Sequence, residues 1–272
     1  MFADLAVAAR IESAEAALTA GIVRSIPDPG ARVLELAGGV AAFARAHSPM
    51  NKAIGFGFAG PVGAADVDAI LELARAGGEP ARAEISTLVD PSILAAFSAR
   101  GFALQAFEHV LGLRIASDLA AREPAAGIVV ARTGGPQDEA AWREVAVEGF
   151  AAPDGTGAAE DELPRDALGQ VMDDFGGAPG LEHYLARVDG VPAGAASCRF
   201  DRGIAQLCGA TTLAAFRRRG VQRALLAARL ADAARHGCDL AVVTTAPGSQ
   251  SQANVQRHGF ALLYARAVLG AA

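Results

Sequence analysis

The phrase Gly-Phe-Ala-Leu occurs twice in this chain, at 101–104 and 259–262. Val-Leu follows each copy at the same distance, at 110–111 and 268–269, so both pairs lie 158 residues apart. Each copy follows a short helical pattern that itself follows a strand-like run. A repeat of this kind constrains the fold more than any local propensity, because two equivalent pieces of structure have to be closed. We read the chain as a tandem duplication, and its 272 residues suit two domains of about 130 residues each. Glu123-Pro124 to Gly127 is short, polar and proline-bearing, which predicts a joint there and domains over 1–123 and 127–272.

The first half begins with an amphipathic helical pattern over 2–21. Alternating strands are predicted over Arg32–Leu36 and Ala53–Phe58, with 41–47 ambiguous between them. Gly55 to Gly63 is a glycine-rich turn that enters a helix over Ala64–Ala76. It holds no Arg or Lys and Pro61 removes a donor, so it reads as a structural turn rather than a phosphate site. A strand over Ala83–Leu88 precedes Asp90-Pro91, an N-cap and first-turn pair that opens a helix running to about Arg100. The second half starts with a strand, Ile128–Arg132. A helix over Gln137–Phe150 follows, turning Trp142, Val145, Ala146 and Phe150 inward, and a second helix is predicted over Leu163–Met172. Strands over His183–Val188 and Val191–Phe200 pair across Asp189-Gly190, a strong hairpin signal.

The most informative local stretch is Phe216 to Leu226, Phe-Arg-Arg-Arg-Gly-Val-Gln-Arg-Ala-Leu-Leu. A strand-like run, Ile204–Leu213, precedes it, and a helical pattern with Val221, Leu225, Leu226 and Leu230 on one face follows. A helix starting there leaves its first N–H groups without intrahelical partners, which makes an anion site. Arg217, Arg218, Arg219 and Arg223 add guanidinium donors suited to phosphate oxygens, and Gly220 lets the backbone approach closely. The simplest ligand is a diphosphate, the alternative being a solvated loop that caps the helix.

This stretch resembles the acyl-CoA pyrophosphate signature of the GNAT N-acetyltransferase superfamily, Arg/Gln-x-x-Gly-x-Gly/Ala. Arg217 and Gly220 match it, while Gln222 replaces the third small residue. The order downstream is similar too: a strand over 239–244, a helix over Ser249–His258, then Gly259-Phe260 and a last strand. The resemblance implies an α/β (α+β) fold of two tandem GNAT-like domains, each a mixed, mostly antiparallel sheet flanked by helices. It further implies an active second half and a degenerate first half, which lacks the arginine turn. The activity implied is transfer of an acetyl group from acetyl-CoA, as co-substrate, to an amine by direct attack. The backbone of Thr211, Thr212 and Leu213 would meet the pantetheine arm. Arg217, Arg218, Arg219, Gly220, Val221, Gln222 and Arg223 would hold the diphosphate, and Asn254 would hydrogen-bond the cofactor or else be a helix-surface residue. Relatives place an acidic Tyr where this chain has Val255, so Tyr264 on the final strand becomes the candidate acid, against a packing role. Glu182 or His183 becomes the candidate base. Without those groups the runner-up is a non-catalytic acyl-CoA sensor or interaction protein on the same fold.

Charge narrows the partners. Ala151 to Gly180 holds seven acids and one base, Arg165, and so accounts for the whole net charge of −6. Such a stretch beside an acceptor site would attract a cationic amine of a small molecule or peptide; alternatively it is a solvated loop. The only basic cluster is the arginine turn, too small for a nucleic-acid face. Cys198, Cys208 and Cys238 show no metal-ligand spacing, so no metal is expected, and reduced thiols suit a cytoplasmic protein. No apolar run approaches the roughly 20 residues of a membrane helix. A monomer or homodimer is expected.

Overall fold

The computed structural model describes residues 3–116, 125–152 and 165–272. In chain order its elements are α1 (Leu5–Ser25), β1 (Arg32–Leu36), β2 (Gly39–Phe43), β3 (Lys52–Ile54), α2 (Ala64–Gly77), β4 (Ala81–Ser86), α3 (Ser92–Ser98), β5 (Ala103–Arg114) and β6 (Ile128–Arg132). Then come α4 (Pro136–Phe150), α5 (Arg165–Gly176), β7 (Leu181–Val188), β8 (Val191–Asp201), β9 (Ile204–Thr212), α6 (Val221–Arg235), β10 (Leu240–Thr245), α7 (Gln250–Gln256) and β11 (Ala261–Ala271). The expected mixed, mostly antiparallel sheet is present: β3–β4 and β9–β10 pair parallel, while β1–β2, β2–β3, β4–β11, β6–β7, β7–β8 and β8–β9 pair antiparallel.

The chain forms two compact units, 1–111 with 244–272, and 112–243. These do not follow the division at 123–127 read from the sequence, whose boundary residues 123 and 124 lie outside the described residues. The last 29 residues, 244–272, join the first unit, because β11 finds its partner in β4 through a six-residue antiparallel register from Arg266↔Ser86 to Ala271↔Ala81.

In the first unit, one sheet face packs on α2 and α3 through Ala41, Ala53, Ala83, Ile85, Phe97, Phe102 and Leu269. The run expected as a strand to Phe58 stops at Ile54. Gly55 and Gly57 take φ of 85° and 90°, turning Phe56 into the core, and a side chain at Gly57 would strike Val89 and Ile93. Glu12 of α1 is 1% exposed; its Oε1 accepts from Tyr264 Oη at 2.7 Å and from Arg266 Nε at 2.8 Å. Lys52 lies 3.0 Å from Glu84 in the same unit.

In the second unit, α4 and α5 cover one face of the sheet through Trp142, Val145, Ala146, Val171, Met172, Leu185 and Ala195. Opposite, α6 lies so close to β8 that a Cβ at Gly194 would sit 2.6 Å from Val221. Asp189, with φ of 51°, and Gly190, with φ of 83°, make the expected β7–β8 hairpin.

Candidate active site

The second unit builds its site where β9 parts from its neighbours. β10 pairs with β9 only at Leu240↔Ile204, Ala241↔Ala205 and Val242↔Gln206. From Leu207 to Thr212 β9 is out of register with β10, an arrangement that lets an extended ligand add to a strand edge. On its other edge β9 carries a bulge. The β8 register runs Ala195↔Thr211 and then Ser197↔Cys208, so Gly209 and Ala210 face Ala196 alone. The carbonyl of Ala196 accepts from Trp142 Nε1 at 3.1 Å, from the α4 side. A Cβ at Gly149 would lie 2.3 Å from Thr211 Oγ1, so glycine is what lets α4 approach the end of β9.

Beyond Thr212 the chain makes a single 3₁₀ turn, Ala214–Phe216, and reaches α6 through the arginines. Arg217 braces this turn: its Nε donates to Thr212 O at 3.2 Å and an Nη to Ala152 O. Arg218 takes φ of 60° and Gly220 φ of 94°, so the backbone reverses sharply into the helix. Gly220 is the N-cap and supplies no side-chain bond to the first N–H groups of α6. Arg219 lies 3.6 Å from Asp189 and 5.6 Å above the Phe216 ring. Arg218 and Arg223 are exposed and make no ion pair with any described residue. Val221 is buried and anchors the helix start, Gln222 is half-buried beside it, and Leu213 N donates to Ala193 O at 3.0 Å. The Thr212 hydroxyl is buried without a partner. An orphaned hydroxyl, an uncapped helix start and two unpaired guanidiniums around one strand end fit a phosphate-bearing ligand with an extended arm.

The remaining sequence candidates are Asn254, Tyr264, Glu182 and His183. Asn254 and Tyr264 belong to the first unit. Asn254 Oδ1 accepts from Gln250 and Arg257 at 2.9 and 2.6 Å, as a helix-surface residue does. The Tyr264 hydroxyl is committed to Glu12, and burial followed by that carboxylate pushes its pKa well up, which accords with packing rather than acid catalysis. Glu182 sits toward the far end of α6, 3.0 Å from Arg132 and 3.5 Å from His236, the C-cap residue. At 1.5 Å per residue that end is about 20 Å from the arginine turn, and ion pairing accounts for Glu182 there. His183 is 5% exposed, stacked on Trp142 with ring centroids 3.9 Å apart, its Nδ1 2.9 Å from Glu139.

Sequence reasoning missed the bulge, the indole bond and Arg229, a buried arginine on α6. Gly209 inside a strand run was a usable signal for the bulge. Arg229 falls on the stripe of Leu225, Leu226 and Leu230, where a charge is out of place.

Residues 141–260 match the family described as Acetyltransferase (GNAT) family. The match spans the bulge, the arginine turn and α7, and ends one residue before β11. A GCN5-related N-acetyltransferase from Kribbella flavida shares the fold over 97% of this chain and 95% of its own, with a TM-score of 0.68 and 22% identity. A tandem GNAT protein from the clavulanic acid biosynthesis pathway matches over 75% of this chain and 67% of its own, with a TM-score of 0.55 and 16% identity. A GCN5-related N-acetyltransferase from Sphaerobacter thermophilus matches 71% of this chain and 59% of its own, with a TM-score of 0.51 and 17% identity. No curated protein matches the sequence. Among the described residues no helix is long and apolar enough to cross a membrane.

Proposed function

We propose that the protein transfers an acetyl group from acetyl-CoA to an amine of a small molecule or peptide, at the open edge of β9. The observation that carries this reading is the parting of β9 from β10 after Gln206, which leaves a strand edge leading straight to the bare start of α6. The β9 edge from Leu207 to Thr212 orients the arm of the co-substrate, and Thr212 Oγ1 is a further donor. The first amides of α6 with Arg218 and Arg223 hold its diphosphate, while Arg217 and Arg219 keep the turn in shape. Acetyl-CoA supplies the activated acyl carbon. A neutral amine forms the new C–N bond as the C–S bond breaks, and its proton leaves to solvent while the thiolate is protonated. Positioning of this kind accounts for a large share of a rate enhancement, so a dedicated base is not required.

The acceptor is best sought among amines that carry extra positive charge. Of the acidic stretch, Asp154, Glu160, Asp161 and Glu162 lie outside the described residues. Asp173 is already paired with Arg143 at 2.5 and 2.9 Å.

Isothermal titration with acetyl-CoA tests the reading. Micromolar binding is expected in the wild type, and Arg218→Ala with Arg223→Ala should weaken it by about 3 kcal/mol or more, since charge-assisted bonds contribute about 1.5–3 kcal/mol each. Unchanged affinity in the double variant would overturn the proposed cradle. Tight binding with no transfer to any amine in a broad panel would leave a sensor instead of an enzyme.

A further inference from the structure

Arg229 sits in the middle of α6, 3% exposed, with no carboxylate in ion-pair distance among the described residues. A guanidinium withdrawn from water without a counter-ion is unfavourable unless its donors are satisfied. Here backbone carbonyls do that: Nε donates to Leu225 O at 3.2 Å, and Nη1 donates to Ser197 O at 3.2 Å and reaches Cys208 O at 3.5 Å. Burial pushes its pKa down, and an arginine nevertheless remains charged throughout the range in which proteins fold.

The carbonyls it holds are not arbitrary. Ser197 and Cys208 are the last residues in register before the β9 bulge. The Cys208 carbonyl and the Gly209 N–H belong to one peptide group, and no peptide bond among the described residues is cis, so the two point in opposite directions. A cation on the oxygen polarises the whole group and strengthens the N–H as a donor. Across the sheet, the Trp142 indole holds Ala196 O, the β8 carbonyl that faces the bulge. The bulge is thus fixed from α4 and from α6, and Gly209 is its exposed member.

We propose that Arg229 is a positioning residue for acyl transfer: it locks and polarises the Cys208–Gly209 peptide, so that the Gly209 N–H faces the thioester carbonyl oxygen at the open edge of β9. This rests on the acetyltransferase reading above. Negative charge grows on that oxygen as the amine attacks, and a donor already aimed at it needs no reorganisation. A buried positive charge behind the donor adds to the same effect without touching the ligand.

The test is the infrared carbonyl stretch of bound acetyl-CoA, isotope-labelled at the acetyl carbonyl, measured beside titration calorimetry and kinetics. In the wild type the stretch should fall below that of free acetyl-CoA. In Arg229→Met it should return most of the way, with kcat lowered about tenfold or more, short of the ~10²–10³ that removing such a donor outright produces. Affinity for acetyl-CoA should stay within about threefold, because charge-assisted contacts at the arginine turn are untouched. Arg229→Lys, which keeps the charge, should recover part of both the shift and kcat. A wild-type stretch equal to that of free acetyl-CoA overturns the inference even if no variant folds. Arg229→Met with wild-type stretch and kcat also overturns it. Failure of the wild type to bind acetyl-CoA at all overturns the acetyltransferase reading, and the role of Arg229 with it.

Discussion

Three buried charged side chains decide most of what single substitutions should do. Glu12 accepts from both Tyr264 and Arg266, and Arg266 is itself 1% exposed. Glu12→Gln removes the nearest carboxylate and leaves Arg266 with Glu108 at 3.6 Å, so stability should fall by about 1–3 kcal/mol in denaturant titration. Tyr264→Phe removes one donor to that carboxylate, about 1.5–3 kcal/mol, and should leave kcat unchanged, which separates packing from acid catalysis. Glu84 adds a pH dependence. Burial alone would raise its pKa, but Lys52, Arg266 and Arg82 outweigh it and hold it below the usual carboxylate range. Its folded pKa being depressed, Glu84 contributes stability that is complete above its unfolded pKa, about 4.3, and is lost as pH falls through the folded value. Lys52→Met removes the nearest cation, so stability at neutral pH should fall while its further loss under acid shrinks, read from melting temperatures across pH 3–7. None of this was legible in the sequence, where Tyr264 and Glu182 stood out only because few titratable groups lay near the site. Their partners, Glu12 and Arg132, are 252 and 50 residues away.

At the scale of elements, two glycines in the second unit make opposite demands. Gly220 has room for a side chain, its nearest atoms being Arg223 and Ile128 at 3.8 Å, but its φ of 94° is foreign to other residues. Gly220→Ala should therefore act through the backbone, at about 1–2 kcal/mol, and weaken acetyl-CoA binding as the turn relaxes. Gly149 has ordinary need of φ but no room against Thr211. Gly149→Ala should push α4 off β9, lowering stability by about 1–3 kcal/mol as overpacking does. It should also lower kcat more than Gly220→Ala does, because α4 carries the indole that holds the bulge. The arginine turn, the β7–β8 hairpin and α4 were legible because each is written in contiguous residues. The bulge left only Gly209 as a sign and the parting of β9 from β10 left none, since register is a property of two strands at once.

For the whole molecule, the repeat told that two equivalent strands exist, and could not tell which sheet each completes: residues 101–104 and 259–262 are identical, so the final strand carries no mark of its partner. The structure gives β11 to the first unit. Removing residues 261–272 should accordingly loosen that unit, with hydrogen exchange rising in β4 before β8 or β9. The first unit also explains why one acetyl-CoA per chain is expected. At the start of α2, the Gly63 N–H donates to Asp66 Oδ2 at 2.8 Å, so a carboxylate occupies a place where a phosphate would sit, and calorimetry should return a stoichiometry near one. The pairing of Glu12 with Arg266 spans 254 residues. On the ribosome, chains lengthen at about 5–20 residues per second, so Glu12 and the open edge of β4 wait tens of seconds for the strand that covers them. The segment made first is thus among the last to be finished, and throughout that interval it is a natural client for whatever shelters nascent chains.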